Sequence, residues 1–168
     1  LPDGRVVIHN AVCLDETAMR ELEAWGEPAF LIVPNGWHRL DAHAWAERYP
    51  RARVLTSAVA AKKVRAVVEV HGTYDDLPKT AVFRMELLDG SKAGEAVGHV
   101  QHEGTMSLVF TDTLMNNAHG KGAWWWTYRY LARATGGPRV TGLMRLVGVS
   151  DKRALRAHLE RLADLPGL

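Results

Sequence analysis

Apolar and polar positions follow two different rhythms along the chain. In the first half, short apolar runs alternate with stretches of helical period. Arg5-Val6-Val7-Ile8-His9-Asn10 reads as a strand after the turn Pro2-Asp3-Gly4. Asp15 then fits a helix N-cap, with Ala18, Leu22 and Trp25 on one face and Gly26 and Pro28 as the stop. Ala29-Phe30-Leu31-Ile32-Val33 is continuously apolar, which suits a strand covered on both faces by other layers. Asp41 is placed to cap a second helix with Ala42, Trp45, Ala46 and Tyr49 inward, ended by Pro50. A strand over 53–56, a helix over 58–64 and a return to the sheet over 65–70 complete an alternating α/β half.

The second half begins with hairpins. Residues 81–88, 95–101 and 105–110 read as successive strands, with Asp89-Gly90 and Glu103-Gly104 as turns. Residues 121–134 form an aromatic-rich helical stretch broken by Gly136-Gly137-Pro138. Ser150 opens a last helix with Leu155, Leu159 and Leu162 inward and Arg153, Arg156 and Glu160 outward. There is no internal repeat, and residues 1–168 read as a single α/β domain of mixed sheet type.

Composition narrows the function classes. Hydrophobic residues make up 47% and charged residues 24%, ordinary for a packed domain. A formal charge of +2 gives no case for nucleic acid as a partner. No apolar run reaches the length of a membrane span and no signal peptide opens the chain, so a cytoplasmic protein without a membrane partner is expected. The single cysteine, Cys13 in Val12-Cys13-Leu14, excludes an internal disulfide and is expected as a small buried hydrophobe. No Gly-rich phosphate loop, Cys-x-x-Cys pair or Gly-x-Ser-x-Gly elbow is present.

Candidate chemistry concentrates in two places. Residues 34–43 follow the buried strand and lead into a helix, at the strand end where α/β proteins bind ligands. His38 in that loop reads equally as a ligand group and as a surface residue; His43 reads as a solvated helix residue. The second place is Gly98-His99-Val100-Gln101-His102 with Thr111-Asp112-Thr113. On a strand, His99 and His102 point to opposite faces, so both can hold one ion only if the chain turns between them. Asp112, after the apolar Leu108-Val109-Phe110, reads equally as a ligand or base and as a turn cap. The run Trp124-Trp125-Trp126 cannot hide on one helix face, so at least one indole is exposed or covered by a partner. Only Lys121, Arg129 and Arg133 accompany it in sequence, a weak basis for contact with a membrane surface.

Phe30-Leu31-Ile32-Val33-Pro34-Asn35-Gly36-Trp37-His38-Arg39-Leu40, followed by Trp45, Tyr49 and Pro50, resembles an uncharacterised bacterial family related to metallo-β-lactamases, with its Pro-Asn-x-x-His motif. Leu1-Pro2-Asp3-Gly4, residues 108–112 with Asn116, and Gly136-Gly137-Pro138-Arg139 resemble it too, so the likeness runs over nearly the whole chain. The resemblance implies an αββα sandwich of two facing sheets. It also implies that the His-x-His-x-Asp-His motif of the active hydrolases falls on Asn35, Trp37, Arg39 and Leu40, none of them a match. Leu1 in place of Met leads to the expectation that a few N-terminal residues are missing, and the end at Leu168 to the expectation of a fold without its final strand.

These readings predict a degraded metal site that binds a small polar molecule through Asn35, His38, Asp112 and Asn116, with no cofactor. The alternative is a hydrolase with a mononuclear zinc, iron or manganese ion on His38, His99, His102 and Asp112. A third reading is an interaction protein acting through the tryptophan segment. An unpaired sheet edge and the surplus aromatic surface predict a homodimer.

Overall fold

A computed structural model describes residues 1–131 and 133–168. Among the described residues, six α-helices and two small sheets make a mixed α/β architecture. The first sheet is parallel and joins β1 (Arg5–His9), β2 (Glu27–Val33) and β3 (Arg53–Thr56), in that order. Helices α1 (Glu16–Glu23), α2 (Ala42–Arg48) and α3 (Ala58–Val64) alternate with these strands. The second sheet is an antiparallel meander of β4 (Phe83–Leu87), β5 (Ala96–His102) and β6 (Thr105–Val109). Helices α4 (Ala123–Tyr130), α5 (Gly142–Val147) and α6 (Lys152–Ala163) follow. No helix among the described residues is long and apolar enough to cross a membrane.

The two-residue period of the strands sorts the core into layers. On β2, Leu31 and Val33 face Met19 of α1, Trp45 of α2 and Val64 of α3, while Phe30 and Ile32 face the other way. That opposite face, with Val7 and Leu55, packs against Phe83 and Met85 of β4. The far face of the second sheet buries Val97 with Leu155 and Leu162 of α6. The packing order is therefore helices, parallel sheet, antiparallel sheet, α6. Trp45 is almost fully buried, donates its indole N–H to the Val12 carbonyl at 3.1 Å and stacks obliquely on Tyr49.

Several local expectations change. The inward residues of α1 are Met19 and Leu22, whereas Trp25 lies beyond the helix end and is 78% exposed. Cys13 is exposed, because residues 11–15 cross the surface between β1 and α1. Asp41 does not cap α2; its carboxylate accepts the Cys13 amide instead, at 3.1 Å. Residues 65–70 form no strand: turns continue from α3, and the chain rejoins the sheet only at His71 and Gly72, beside Val54 and Thr56. Asp151, not Ser150, caps α6, accepting the amides of Arg153 and Ala154; the Ser150 hydroxyl donates to the Gly90 carbonyl.

Candidate functional site

The site grows from the carboxyl end of β2. Pro34 has no amide proton, so the ladder stops at Val33. The free carbonyls there are claimed by side chains. The Thr56 hydroxyl donates to Val33 at 2.8 Å, and the Tyr74 hydroxyl reaches both Val33 and Pro34, at 3.0 and 3.1 Å. Burial pushes the Tyr74 phenol up to about 12, so it stays a donor at any ordinary pH. The strand end is thereby pinned before the loop begins.

Asn35 turns the chain. It is fully buried, and its Oδ1 accepts the amides of Trp37 at 2.8 Å and His38 at 3.2 Å, a side-chain-closed turn. Its Nδ2 donates to Asp112 Oδ2 at 2.7 Å. His38 Nε2 lies 2.9 Å from Asp112 Oδ1. One carboxylate thus receives both side chains, from residues 74 and more positions away in sequence.

A second carboxylate holds the first in place. Glu95 is completely buried at the head of β5. Its oxygens accept the amides of Thr111, Asp112 and Thr113 at 2.9, 3.0 and 2.9 Å, and the Thr113 hydroxyl at 2.6 Å. Consecutive amides converging on one anion fix the loop after β6 and so the direction of Asp112. Gly94, with φ of +71°, sets up this approach: a side chain there would run into Ser57 and Val59.

His9 completes the neighbourhood. It ends β1, beside Ile32 of β2, and alternation puts it on the same face as Val7. Burial, reinforced by the charge of His38, pulls its imidazole down to about 4, so it is neutral at pH 7. Its Nε2 is enclosed and has no hydrogen-bond partner; the same holds for the Thr111 hydroxyl, next to Asp112. Asp112 also forms part of the wall of a cavity of about 320 Å³, shared with Trp37, Tyr128, Leu143 and Met144.

Asn35, His38 and Asp112 are therefore brought together as the sequence predicts, although every polar group of Asn35 is spent on positioning. Asn116 is exposed and lines a different groove, with Leu114, Pro138 and Leu168. His99 faces the α6 side of the second sheet, where Nε2 is 3.0 Å from Glu86 and Nδ1 is 3.0 Å from Arg84. His102 lies on the exposed hairpin end, beside Glu103. Neither joins the His38–Asp112 pair, because β5 carries them to another face and another end. His43 is a solvated residue in contact with Glu47. Glu95 and His9 escape the sequence reading. Their signals are slight: a lone acid between Gly94 and an apolar strand, and a histidine closing a strand parallel to β2.

The donor set does not fit the metal centre that the resemblance implies. That resemblance puts the motif on Asn35, Trp37, Arg39 and Leu40, and the guanidinium of Arg39 turns back to the Gly36 carbonyl. Among the described residues, no three His, Cys, Asp or Glu side chains are grouped so as to hold an ion. Zinc needs three or four such ligands. Compared with known proteins, the chain matches no protein-family model and no curated protein.

Proposed function

We propose that this chain is a diverged metallo-β-lactamase-like αββα protein whose former metal cleft binds a small polar molecule at His38 and Asp112. The observation that carries this reading is the braced His38–Asp112 pair at the strand ends, whose carboxylate lies on the wall of a cavity. The remaining lone pairs of Asp112 accept donors, and His38 Nδ1 offers a second polar atom. Trp37, Tyr128 and Met144 supply apolar walls. A few convergent polar groups in a mostly apolar cavity is the usual form of a small-molecule site.

A thermal-shift panel of sugars, amino acids, amines and small carboxylates tests the reading. At least one class is expected to raise the melting temperature of the wild type and to lose that effect in Asp112→Ala, while Asp89→Ala retains it. A panel without hits, or hits indifferent to Asp112, overturns it. Elemental analysis after purification without chelator separates the hydrolase alternative: a full equivalent of zinc, iron or manganese per chain, lost in Asp112→Ala, would establish that one instead.

A further inference from the structure

We infer that the surface formed by α4, α5 and the outer side of α6 docks on an anionic lipid bilayer. The charge of +2 for the whole chain conceals a division. Residues 121–168 hold nine Lys and Arg against three Asp and Glu, an excess of six positive charges, while residues 1–120 hold twelve against sixteen. The basic segment also leaves large apolar groups in solvent. Trp124 is 72% exposed, Leu131 73% and Leu146 80%, with Trp126, Tyr130 and Leu143 also out. Helix α5 buries only Met144 and turns both its leucines outward, the reverse of a helix made to cover a core.

These pieces adjoin. Tyr128 of α4 and Leu143 and Val147 of α5 line one cavity. Arg145 of α5 and Lys152 and Arg156 of α6 rim the next, about 510 Å³ in volume, over an apolar floor that includes Leu155 and Leu159. The fold thus adds Arg145 and Lys152 to the three cations that accompany the tryptophans in sequence, while Arg156 on the same rim is paired with Glu160 at 2.8 Å. Arg129 sits over the Tyr130 ring, 5.3 Å from its centroid. Tryptophan and tyrosine beside aliphatic side chains, among cations, is the composition of a surface that lies in the headgroup layer of an anionic membrane. No spanning helix is needed for this.

Charge selects among the possible occupants. A two-fold dimer through this face would set the basic patch against itself, which costs association free energy. Single-stranded nucleic acid would use the indoles and the cations but has nothing for Leu131, Leu143 and Leu146, since bases stack on aromatic rings. A bilayer uses all three kinds of group. This docking does not rest on the ligand reading, although Tyr128 and Leu143 also wall the cavity that Asp112 lines.

Co-sedimentation with phosphatidylcholine vesicles, with and without about one-third phosphatidylglycerol, tests it. The wild type is expected to bind the anionic vesicles with a blue shift of tryptophan emission, to leave neutral vesicles in solution, and to be released at high salt. Leu146→Asp and the double variant Arg145→Glu/Lys152→Glu alter exposed side chains only, so both are expected to keep the wild-type circular dichroism. Each is expected to weaken binding by at least about tenfold. Absence from the anionic vesicle pellet, or equal binding to both vesicle types, overturns the proposal. So does a dimer in sedimentation velocity that Leu146→Asp dissociates, or preferential binding of a single-stranded oligonucleotide over the vesicles.

Discussion

Two histidine–carboxylate clusters lie in this protein, and their differences separate a site from a brace. In the first, His38 meets Asp112 at the ends of strands, with the imidazole one-third exposed. In the second, Glu86 lies between two histidines that are almost wholly buried, His99 and His158, beneath α6. Arg84 and Arg161 also bond Glu86, and His158 Nδ1 lies 3.0 Å from Asp89. Burial pushes the Glu86 carboxyl up, but the hydrogen bonds of Arg161 and Arg84 and the charges of Arg161 and His158 outweigh it and hold it at about 2. Burial and the charge of Arg84 lower the imidazole of His99. Its Nε2 is close to Glu86 but not aligned as a hydrogen bond, so proximity rather than directed bonding joins the two. Arg161 and His158 of α6 both meet Glu86 of β4, so the second cluster ties α6 to the sheet. In the first, the bracing is done from behind by Asn35 and Glu95, and the outer lone pairs remain open.

Substitutions sharpen this contrast in order of expected size. Glu95→Ala strips three amides and a hydroxyl of their buried acceptor and is expected to cost about 3–5 kcal/mol in chemical denaturation. A cost below about 1 kcal/mol would show that the loop over 111–113 is not held as described.

Acid comes next. Folded His9 takes its proton only near pH 4, whereas the unfolded chain takes it near 6.5. Between these values the unfolded state binds more protons, so stability falls as pH drops. The His9 contribution is intact above pH 6.5, and about 3 kcal/mol is lost by pH 4. His99, also lowered, acts in the same direction. The contribution of Glu86 is present above its ordinary value of 4.5 and is lost only as pH falls towards 2. Melting curves from pH 8 to pH 4 check this: His9→Gln is expected to flatten the decline, and an unchanged slope would contradict the buried neutral imidazole.

Smaller effects follow at the two clusters. Glu86→Gln is expected to cost roughly 1–2 kcal/mol, discounted because the carboxylate is a fifth exposed and partly screened. His38→Ala is expected to cost less than about 1 kcal/mol, as a half-open pair at the surface does. Denaturation of the two variants side by side checks the ranking; the reverse order would make the first cluster the structural one.

Most of the parallel half is legible in the sequence, because β2 and α2 carry strong patterns. The apolar run at residues 29–33 and the spacing of Trp45 to Tyr49 leave one arrangement each. The hairpins at 89–90 and 103–104 are similarly marked by their glycines. Residues 65–70 mislead, since Val-rich composition favours a strand while the end of α3 continues into turns. Helix α5 is invisible in pattern terms because its leucines face solvent. At the site, the loop position exposes Asn35, His38 and Asp112 to inspection. Glu95 is not legible, because its role depends on three amides sixteen to eighteen residues away. His99 misleads for a similar reason: its type fits a metal ligand, and only the sheet face decides its partners.

Under the proposed function, the open cluster binds a ligand and the closed cluster braces the fold. Isothermal titration of the ligand class found in the thermal-shift panel into wild type, His38→Ala and His158→Ala tests it most directly. Binding is expected to be lost in His38→Ala with stability nearly unchanged, and to be retained in His158→Ala with stability reduced. Binding that survives His38→Ala, or that disappears with His158→Ala while the protein remains folded, would contradict it.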